Sequence, residues 1–396
     1  MSRKRVAYVF PVSHRFRAPF HEHLRALLDA RGVDYDYVHT DAEPGGKGDT
    51  APIAWGSRTR MIPLPLGRGK LAYQAAFRAS WDADLVIIQQ ETLLLGNYPI
   101  QILRRLAGRR VAFFGHGKNF QATNPDSVGE RFKRFYSRHA DWWFAYTDLS
   151  ADIVAATGFP RERITVFKNA IDTTAISQQK ASITPDEADA VRRDRFGGSA
   201  NIGVYIGGLY DHKRVPFLLE AARAVRAEVP DFQLIVIGGG PDAHLVQAAA
   251  EAAPWVHALG PLFGREKTLM ASLGKVFLMP GLVGLGVLDS FAYGTPMVTC
   301  DLPFHSPEID YLKDGVNGVM VRNADSVADY AAAVARILRD DGYRAMLTAN
   351  AASAIGDYTI EAMAERFADG VMQALASPPN RGRTSLAMAP ARQSPA

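Results

Sequence analysis

The stretch 279–296, MPGLVGLGVLDSFAYGTP, packs a strand end, a glycine-rich turn and a helix into immediate succession, and few folds accommodate that order of events. The apolar run 276–279 reads as a buried strand that Pro280 ends, because proline has no amide with which to extend a ladder. Gly281, Gly284 and Gly286 let the backbone bend and approach a neighbour closely. A helix is expected from Leu285 to Tyr293, capped by Gly294 and blocked by Pro296. The free amides at its start, with the helix dipole behind them, favour an anion such as phosphate. Asp289, about one turn in, is placed to reach the hydroxyls of a sugar held there.

The same strand-to-helix alternation recurs along the chain, twice over, as in a parallel sheet covered by helices on both faces. At 396 residues there is length for two such domains, and 47% apolar with 22% charged residues describes a globular chain. A lone Cys300 excludes an internal disulfide and a cysteine-based zinc cluster; it reads as a small buried residue at a strand end. No run reaches the roughly 18 apolar residues of a membrane span, and the apolar run 6–12 lacks a cleavage pattern, so a cytoplasmic location is expected. A net charge of +4 is too mild to imply nucleic acid.

In the first half, strands are expected at 5–10, 33–38, 84–90, 110–115, 142–146 and 164–167, with a helix over 18–30 and loop or short irregular strands over 43–65. Ligands in open α/β sheets bind at the carboxyl ends of strands. That rule selects three loops: the one with His14, Arg15 and Arg17, the polar end Gln89, Gln90 and Glu91, and Gly115–His116–Gly117–Lys118–Asn119. The basic loop can neutralise a phosphate, hold an acceptor, or merely be solvated. His116, between two glycines, can hydrogen-bond a sugar hydroxyl or, as imidazolium, stabilise a leaving phosphate; the plainer role is capping a turn.

Basic residues concentrate between 104 and 138: Arg104, Arg105, Arg109, Arg110, Lys118, Arg131, Lys133, Arg134 and Arg138 stand against Asp126 and Glu130. The expected helix 130–139 interleaves these with Phe132, Phe135 and Tyr136, so it can lie on an anionic membrane or turn its aromatics onto the sheet. Other chemistries lack their residues. There is no Gly-x-Ser-x-Gly turn, no Walker sequence, no zinc helix at His21-Glu22-His23, and no Asp-x-Asp triplet to hold a metal-bound nucleotide, so no metal requirement is expected.

The 279–296 stretch resembles the donor motif of family-4 retaining glycosyltransferases, in which two glutamates seven residues apart precede a Gly-Thr-Pro turn. The first glutamate falls on Gly281 and the second on Asp289; the Pro-Gly-x-Val-Gly-Leu form is similar to a branch of polysaccharide-building enzymes. Gly207, Gly208 and Lys213 resemble a second donor motif, in which an arginine and a lysine contact the diphosphate. Gly208 takes the arginine's place, Lys213 remains, and Arg214 can supply part of the missing charge. The resemblance further implies that the loop at Leu262 and Phe263 holds the nucleobase, that Glu308 in Ser-Pro-Glu-Ile faces the donor or caps a helix, and that His116 lies near the transferred sugar. Lys168-Asn-Ala-Ile-Asp172 is similar to the turn closing the family's first domain.

For the whole chain the resemblance implies a GT-B fold of two Rossmann-like domains across a cleft. They comprise an acceptor-side domain 1–172, a linker 173–200 containing a helix over 185–195, and a nucleotide-sugar domain 201–357. A helix 358–376 crosses back, and a tail 377–396 rich in Pro, Ser and Arg is expected to be disordered. The implied donor is a UDP- or GDP-type nucleotide sugar, with no other cofactor, bound by Lys213, Asp289 and the glycine turn. The acceptor is a saccharide or lipid-linked saccharide near His14, Arg17, Glu91 and Asn119, and transfer retains configuration. A nucleotide-sugar epimerase or hydrolase, or a non-catalytic binding protein, remains open on the same residues.

Overall fold

The computed structural model describes residues 3–40, 53–64, 71–120 and 127–380. The first half contains β1 (Lys4–Val12), β2 (Val33–Thr40), β3 (Ser57–Thr59), β4 (Met61–Pro63), β5 (Ala72–Gln74), β6 (Leu85–Gln89), β7 (Arg110–Gly115), β8 (Trp142–Ala145) and β9 (Ile164–Val166). Seven of these form a parallel sheet in the order β3-β2-β1-β6-β7-β8-β9, and β4 and β5 pair antiparallel beside it. The second half contains β10 (Ile202–Ile206), β11 (Gln233–Ile237), β12 (Val256–Gly260), β13 (Val276–Met279), β14 (Met297–Cys300) and β15 (Gly318–Val321), in the parallel order β12-β11-β10-β13-β14-β15. The two Rossmann-like halves anticipated from the alternation are both present.

The central strands are apolar on both faces because helices cover both. β8, β10, β13 and β14 are buried along their whole length, as a parallel sheet requires. In each sheet the chain steps outward from a middle strand and then returns to its other side, at β1/β6 and at β10/β13. Loops leaving such paired strands diverge and open a crevice. The helix Ile360–Ala376 packs on the first half: Phe367 stacks on Phe144 with centroids 4.0 Å apart and meets Phe20 edge-on at 5.4 Å. Arg31, just after the helix Ala18–Ala30, pairs with its Glu365 and Asp369.

Three expectations are corrected here. The 173–200 linker contains the expected helix, as Pro185–Phe196, but also a second, Thr173–Ala181, and both are fastened to the second half. Phe196 is buried, Lys180 Nζ donates to Tyr293 O at 2.7 Å, and Arg265 forks onto Glu187. The tail begins in order: Ser377 O accepts from Arg110, and Asn380 binds Asp141 and Ala140 O, while residues 381–396 lie outside the described residues. Arg104 is no surface charge. Fully buried, it donates to the carbonyls of Ser80, Trp81, Ala83 and Arg110, and burial lowers its pKa to about 10. Arg105 and Arg110 likewise hold the 377–380 backbone, so this part of the basic cluster is structural. Of the 43–65 segment, residues 43–52 and 65 lie outside the described residues.

Among the described residues no helix is long and apolar enough to cross a membrane.

Candidate active site

At the β10/β13 crevice the two donor-side loops lock together. β10 runs into Gly207–Gly208 and then a 3-10 turn, Asp211–Lys213, while β13 runs into Pro280–Leu285. A Cβ on Gly281 would lie 2.4 Å from the carbonyl carbon of Lys213 and 2.5 Å from His212 O, and Leu282 N donates to that same oxygen at 2.8 Å. No side chain fits at 281 unless the 212–213 backbone moves, which explains the glycine where the resembled motif has a glutamate. A similar close approach explains Gly238: its Cβ would meet Gly207 O at 1.8 Å, so the triple glycine after β11 makes room for the β10 loop.

Lys213 is only 8% exposed, and its ammonium donates to Leu282 O beside Met279 Sδ. A Cβ on Gly286 or Gly207 would touch the Met279 methyl at 3.8 and 3.6 Å, so both glycine turns and the Lys213 cation converge on the end of β13. The helix Gly286–Tyr293 starts there. Among the described residues the amides of Gly284 and Leu285 donate to no protein acceptor, whereas those of Val287 and Leu288 already donate to Gly284 O at 3.3 Å and Leu285 O at 2.9 Å. Val283 is pinned on both sides: its N–H donates to His305 Nδ1 at 3.0 Å, and its carbonyl accepts from Ser306 N at 2.9 Å. His305 Nε2 donates in turn to Cys300 O at 2.7 Å, which fixes the neutral tautomer, and burial lowers its pKa. The result is a preset, cationic anion cradle.

Asp289 lies in the first turn of the same helix and is paired with Lys267 at 3.0 Å. Burial opposes the charge on Lys267, but Asp289 and Tyr293 outweigh it and raise the lysine's pKa. Lys267 belongs to the helix Gly264–Ser272, which begins immediately after Leu262 and Phe263, so the pair ties the expected nucleobase loop to the expected ribose carboxylate. Arg214 does not join this cradle. With φ at +55° its side chain runs to Asp325 (2.7 Å) and Ala324 O (2.7 Å) and stacks on Phe217, so the charge missing at Gly208 is not replaced from there. At Gly208 the Tyr210 ring occupies the space a side chain would need, 2.8 Å from an added Cβ.

Across the crevice a cavity of about 440 Å³ is lined by Gln89–Leu93, Gly115–Phe120 apart from Gly117, parts of the helix Val128–Ser137, and Ser306 from the second half. His116, Glu91 and Asn119 thus share one space, and Ser306 Oγ lies 3.5 Å from where a Gly284 Cβ would sit, which joins this space to the donor turn. His116 packs edge-on against Tyr146 at 4.4 Å. Burial lowers its pKa, partly countered by the Glu308 charge, so the ring is neutral at neutral pH.

Two expected contacts turn inward instead. Arg17 donates to Asn169 Oδ1 and Ala170 O, and Asn169 Nδ2 donates to the buried carboxylate of Glu308. Arg17, Asn169 and Glu308 therefore form a polar seam between the halves rather than open substrate contacts. His14 is packed between Phe10 and Phe16. Sequence reasoning passed over His305, Lys267, Asn169 and Ser306. Only Ser306 and Asn169 sat inside motifs already singled out, and the Lys267–Asp289 spacing carries no local signal. Among the described residues no cluster of His, Cys, Asp or Glu is placed to hold a metal ion.

Comparison with known proteins bears on the fold of both halves. Residues 18–170 match the model of the glycosyl transferase 4-like domain, and residues 200–340 match the model of glycosyl transferases group 1. A phosphatidyl-myo-inositol mannosyltransferase of Mycobacterium leprae is 28% identical over 166 residues, 40% of this chain and 43% of that protein. The chain thus spans less than half the length of the mycobacterial relatives it matches. Among solved structures, Anabaena Alr3699/HepE in complex with UDP superposes with a TM-score of 0.67 at 13% identity, covering 93% of this chain and all of that one. A putative UDP-N-acetylglucosamine 2-epimerase from Listeria monocytogenes gives 0.62 at 14% identity, covering 94% and 97%. The chain has the GT-B fold, its first lobe matching the glycosyl transferase 4-like domain and its second the glycosyl transferases of group 1.

Proposed function

We propose that the protein transfers a sugar from a nucleotide-diphosphate sugar of UDP or GDP type to a saccharide or lipid-linked saccharide, with retention and without metal, in surface-polysaccharide or glycolipid synthesis at the cytoplasmic face of a membrane. The observation that carries this reading is the cradle at the β10/β13 crevice, where the buried Lys213 ammonium and the amides from Gly284 to Gly286 meet. A diphosphate leaving group gains charge as the glycosidic bond breaks, and preset donors stabilise that charge without reorganising. The bond from the donor's anomeric carbon to the phosphate oxygen breaks while the acceptor oxygen attacks the same face. The acceptor's hydroxyl proton passes to the departing phosphate oxygen, and neutral His116 orients the sugar. Asp289, held by Lys267, receives the ribose hydroxyls, and Leu262 and Phe263 flank the base.

Peripheral membrane contact belongs to the same proposal, confined to the helix Val128–Ser137, since Arg104, Arg105 and Arg110 are engaged within the fold. The likeness to a putative epimerase keeps donor consumption without acceptor as a second reading.

The test is a thermal-shift screen against UDP, GDP, ADP and dTDP and their sugars, with Lys213→Ala and Asp289→Ala. One diphosphate stabilising the wild type and neither variant supports the site, since a ligand bound only to the folded state raises its stability. Equal responses from all three proteins overturn it. Nucleotide release that needs a saccharide acceptor and survives EDTA then separates transfer from epimerisation or hydrolysis.

A further inference from the structure

The helices Asn97–Leu106 and Val128–Ser137 enclose a groove of about 630 Å³ on the outside of the first half. Its walls are Tyr98, Ile102 and Leu106 on one side and Phe132, Phe135 and Tyr136 on the other. Gln101 spans the base, donating to Tyr136 O at 3.5 Å and to His139 O, just past the second helix, at 2.6 Å. The lining is apolar yet open: Ile102 is 54% exposed, Leu106 79%, Phe132 45% and Phe135 60%. Large apolar side chains clustered in this way mark a surface that receives an apolar partner.

The groove is a neighbour of the acceptor cavity. The helix Val128–Ser137 separates them, with Gly129, Glu130 and Lys133 lining the cavity and Phe132, Phe135 and Tyr136 lining the groove. Glu91, on the cavity's wall, is close enough for its charge to raise the pKa of both Tyr98 and Tyr136 on the groove side, adding to the effect of burial. Tyr136 carries a buried hydroxyl with no partner among the described residues. One helix thus presents a cation to a polar cavity and aromatic rings to an apolar channel alongside it.

We propose that this groove binds one hydrocarbon chain of an anionic lipid-linked acceptor, whose charged head and saccharide enter the cavity past Lys133. The chain slots between the two helices, and the head reaches the space shared by His116, Glu91 and Asn119. The proposal deepens the glycosyl-transfer reading by naming the acceptor's apolar part, and it rests on that reading for the identity of the head.

The test uses dansyl-undecanoic acid, a single-chain anionic probe, at concentrations below micelle formation and with no bilayer present. Binding to the full chain is followed by dansyl fluorescence for wild type, Ile102→Asp, Phe135→Asp and a control, Met346→Asp, in the second half. Both altered groove residues are well exposed, so folding should survive, and thermal melts check this. Saturable binding that weakens at least tenfold in Ile102→Asp and Phe135→Asp, but not in Met346→Asp, supports the groove. No saturable binding, or a loss below threefold in both, overturns it. If the protein instead sediments only with phosphatidylglycerol vesicles and ignores the monomeric probe, the surface docks a bilayer and the groove proposal fails. UDP and GDP thermal shifts on the same proteins keep the two readings apart: loss of nucleotide response with probe binding intact sinks the transferase reading alone.

Discussion

Replacing Gly281 by alanine is the sharpest test of how the donor loops are built. The added methyl would sit 2.4 Å from the Lys213 carbonyl carbon, 2.5 Å from Lys213 Cα and 2.5 Å from His212 O, all backbone atoms that cannot rotate away. Ordinary carbon contacts need about 3.5–4.0 Å, so the 212–213 segment must move by about 1 Å. Overpacking of this kind costs about 1–3 kcal/mol, and in a domain of this size each kcal/mol lowers Tm by about 2–4 °C. The same movement carries Lys213 away from Leu282 O and from the helix start, so the nucleotide-induced shift should shrink with the melting temperature. Gly281→Glu, which restores the residue of the resembled motif, should be no better, because its carboxylate meets the same backbone. Gly284→Ala is the contrast: its nearest neighbour is Ser306 Oγ at 3.5 Å, an ordinary contact, and stability should stay within the roughly ±0.5 kcal/mol of a neutral change, with Tm nearly unmoved. Differential scanning fluorimetry with and without nucleotide reads both effects. A Gly281→Ala protein that melts and binds like wild type would refute the account of locked loops.

Lys267→Met leaves the Asp289 carboxylate largely buried without its ion pair, and breaking such a pair costs up to about 3–5 kcal/mol, less here because the helix dipole still favours the charge. Tm and nucleotide response should both fall, and unchanged values would show the pair to be incidental. Glu308→Ala strands the Asn169 amide inside the seam, at a cost of about 1–3 kcal/mol. Glu308→Gln keeps an acceptor and should recover most of the loss in a chemical-denaturation series. His21, His116, His257 and His305 are all held below the ordinary 6.5 by burial. In acid the unfolded chain therefore binds more protons than the folded one, so stability is fully present above pH 6.5 and is lost as pH falls below it toward the folded values. Protonating His305 Nδ1 also removes the acceptor of the Val283 amide, so the nucleotide shift should fade over the same range; a flat Tm from pH 7.5 to about 5 would refute this.

Much of the fold was legible because central parallel strands are short apolar runs between glycines and prolines. The bounds of β7 and β13 follow directly from that punctuation, and the last helix lies within the expected 358–376. Of the two helices in 173–200, Pro185–Phe196 was expected and Thr173–Ala181 was not, and the packing of neither was legible. They have little apolar stripe and are held by polar contacts such as Thr268 with Gln179 and Arg265 with Glu187, which periodicity does not register. Arg104 misled for the converse reason: its charge reads as surface, yet four backbone carbonyls accept from its two terminal nitrogens inside. In the site, the loops were found because strand ends are found. The partners were not, because Asn169 and Glu308, or Lys267 and Asp289, meet only once both chain segments have folded.

The two glycines that replace charged residues of the resembled motifs are not equivalent losses. At 281 the space belongs to the 212–213 backbone, and at 208 it belongs to the Tyr210 ring, so in each case a neighbouring group has moved into the position a side chain would hold. What these neighbours bring is order rather than charge. The Leu282 amide is taken by His212 O, the Val283 amide by His305, and the Lys213 ammonium by the Leu282 carbonyl. Every donor next to the turn is thereby spoken for except those aimed at the helix start. A cradle with one cation and fixed amides holds an anion through orientation, since preset dipoles need no reorganisation when charge develops. On the proposed reading such a site tolerates the absence of an arginine and a glutamate only while its backbone stays fixed, so the packing around Gly281, more than any single charge, should decide whether it works.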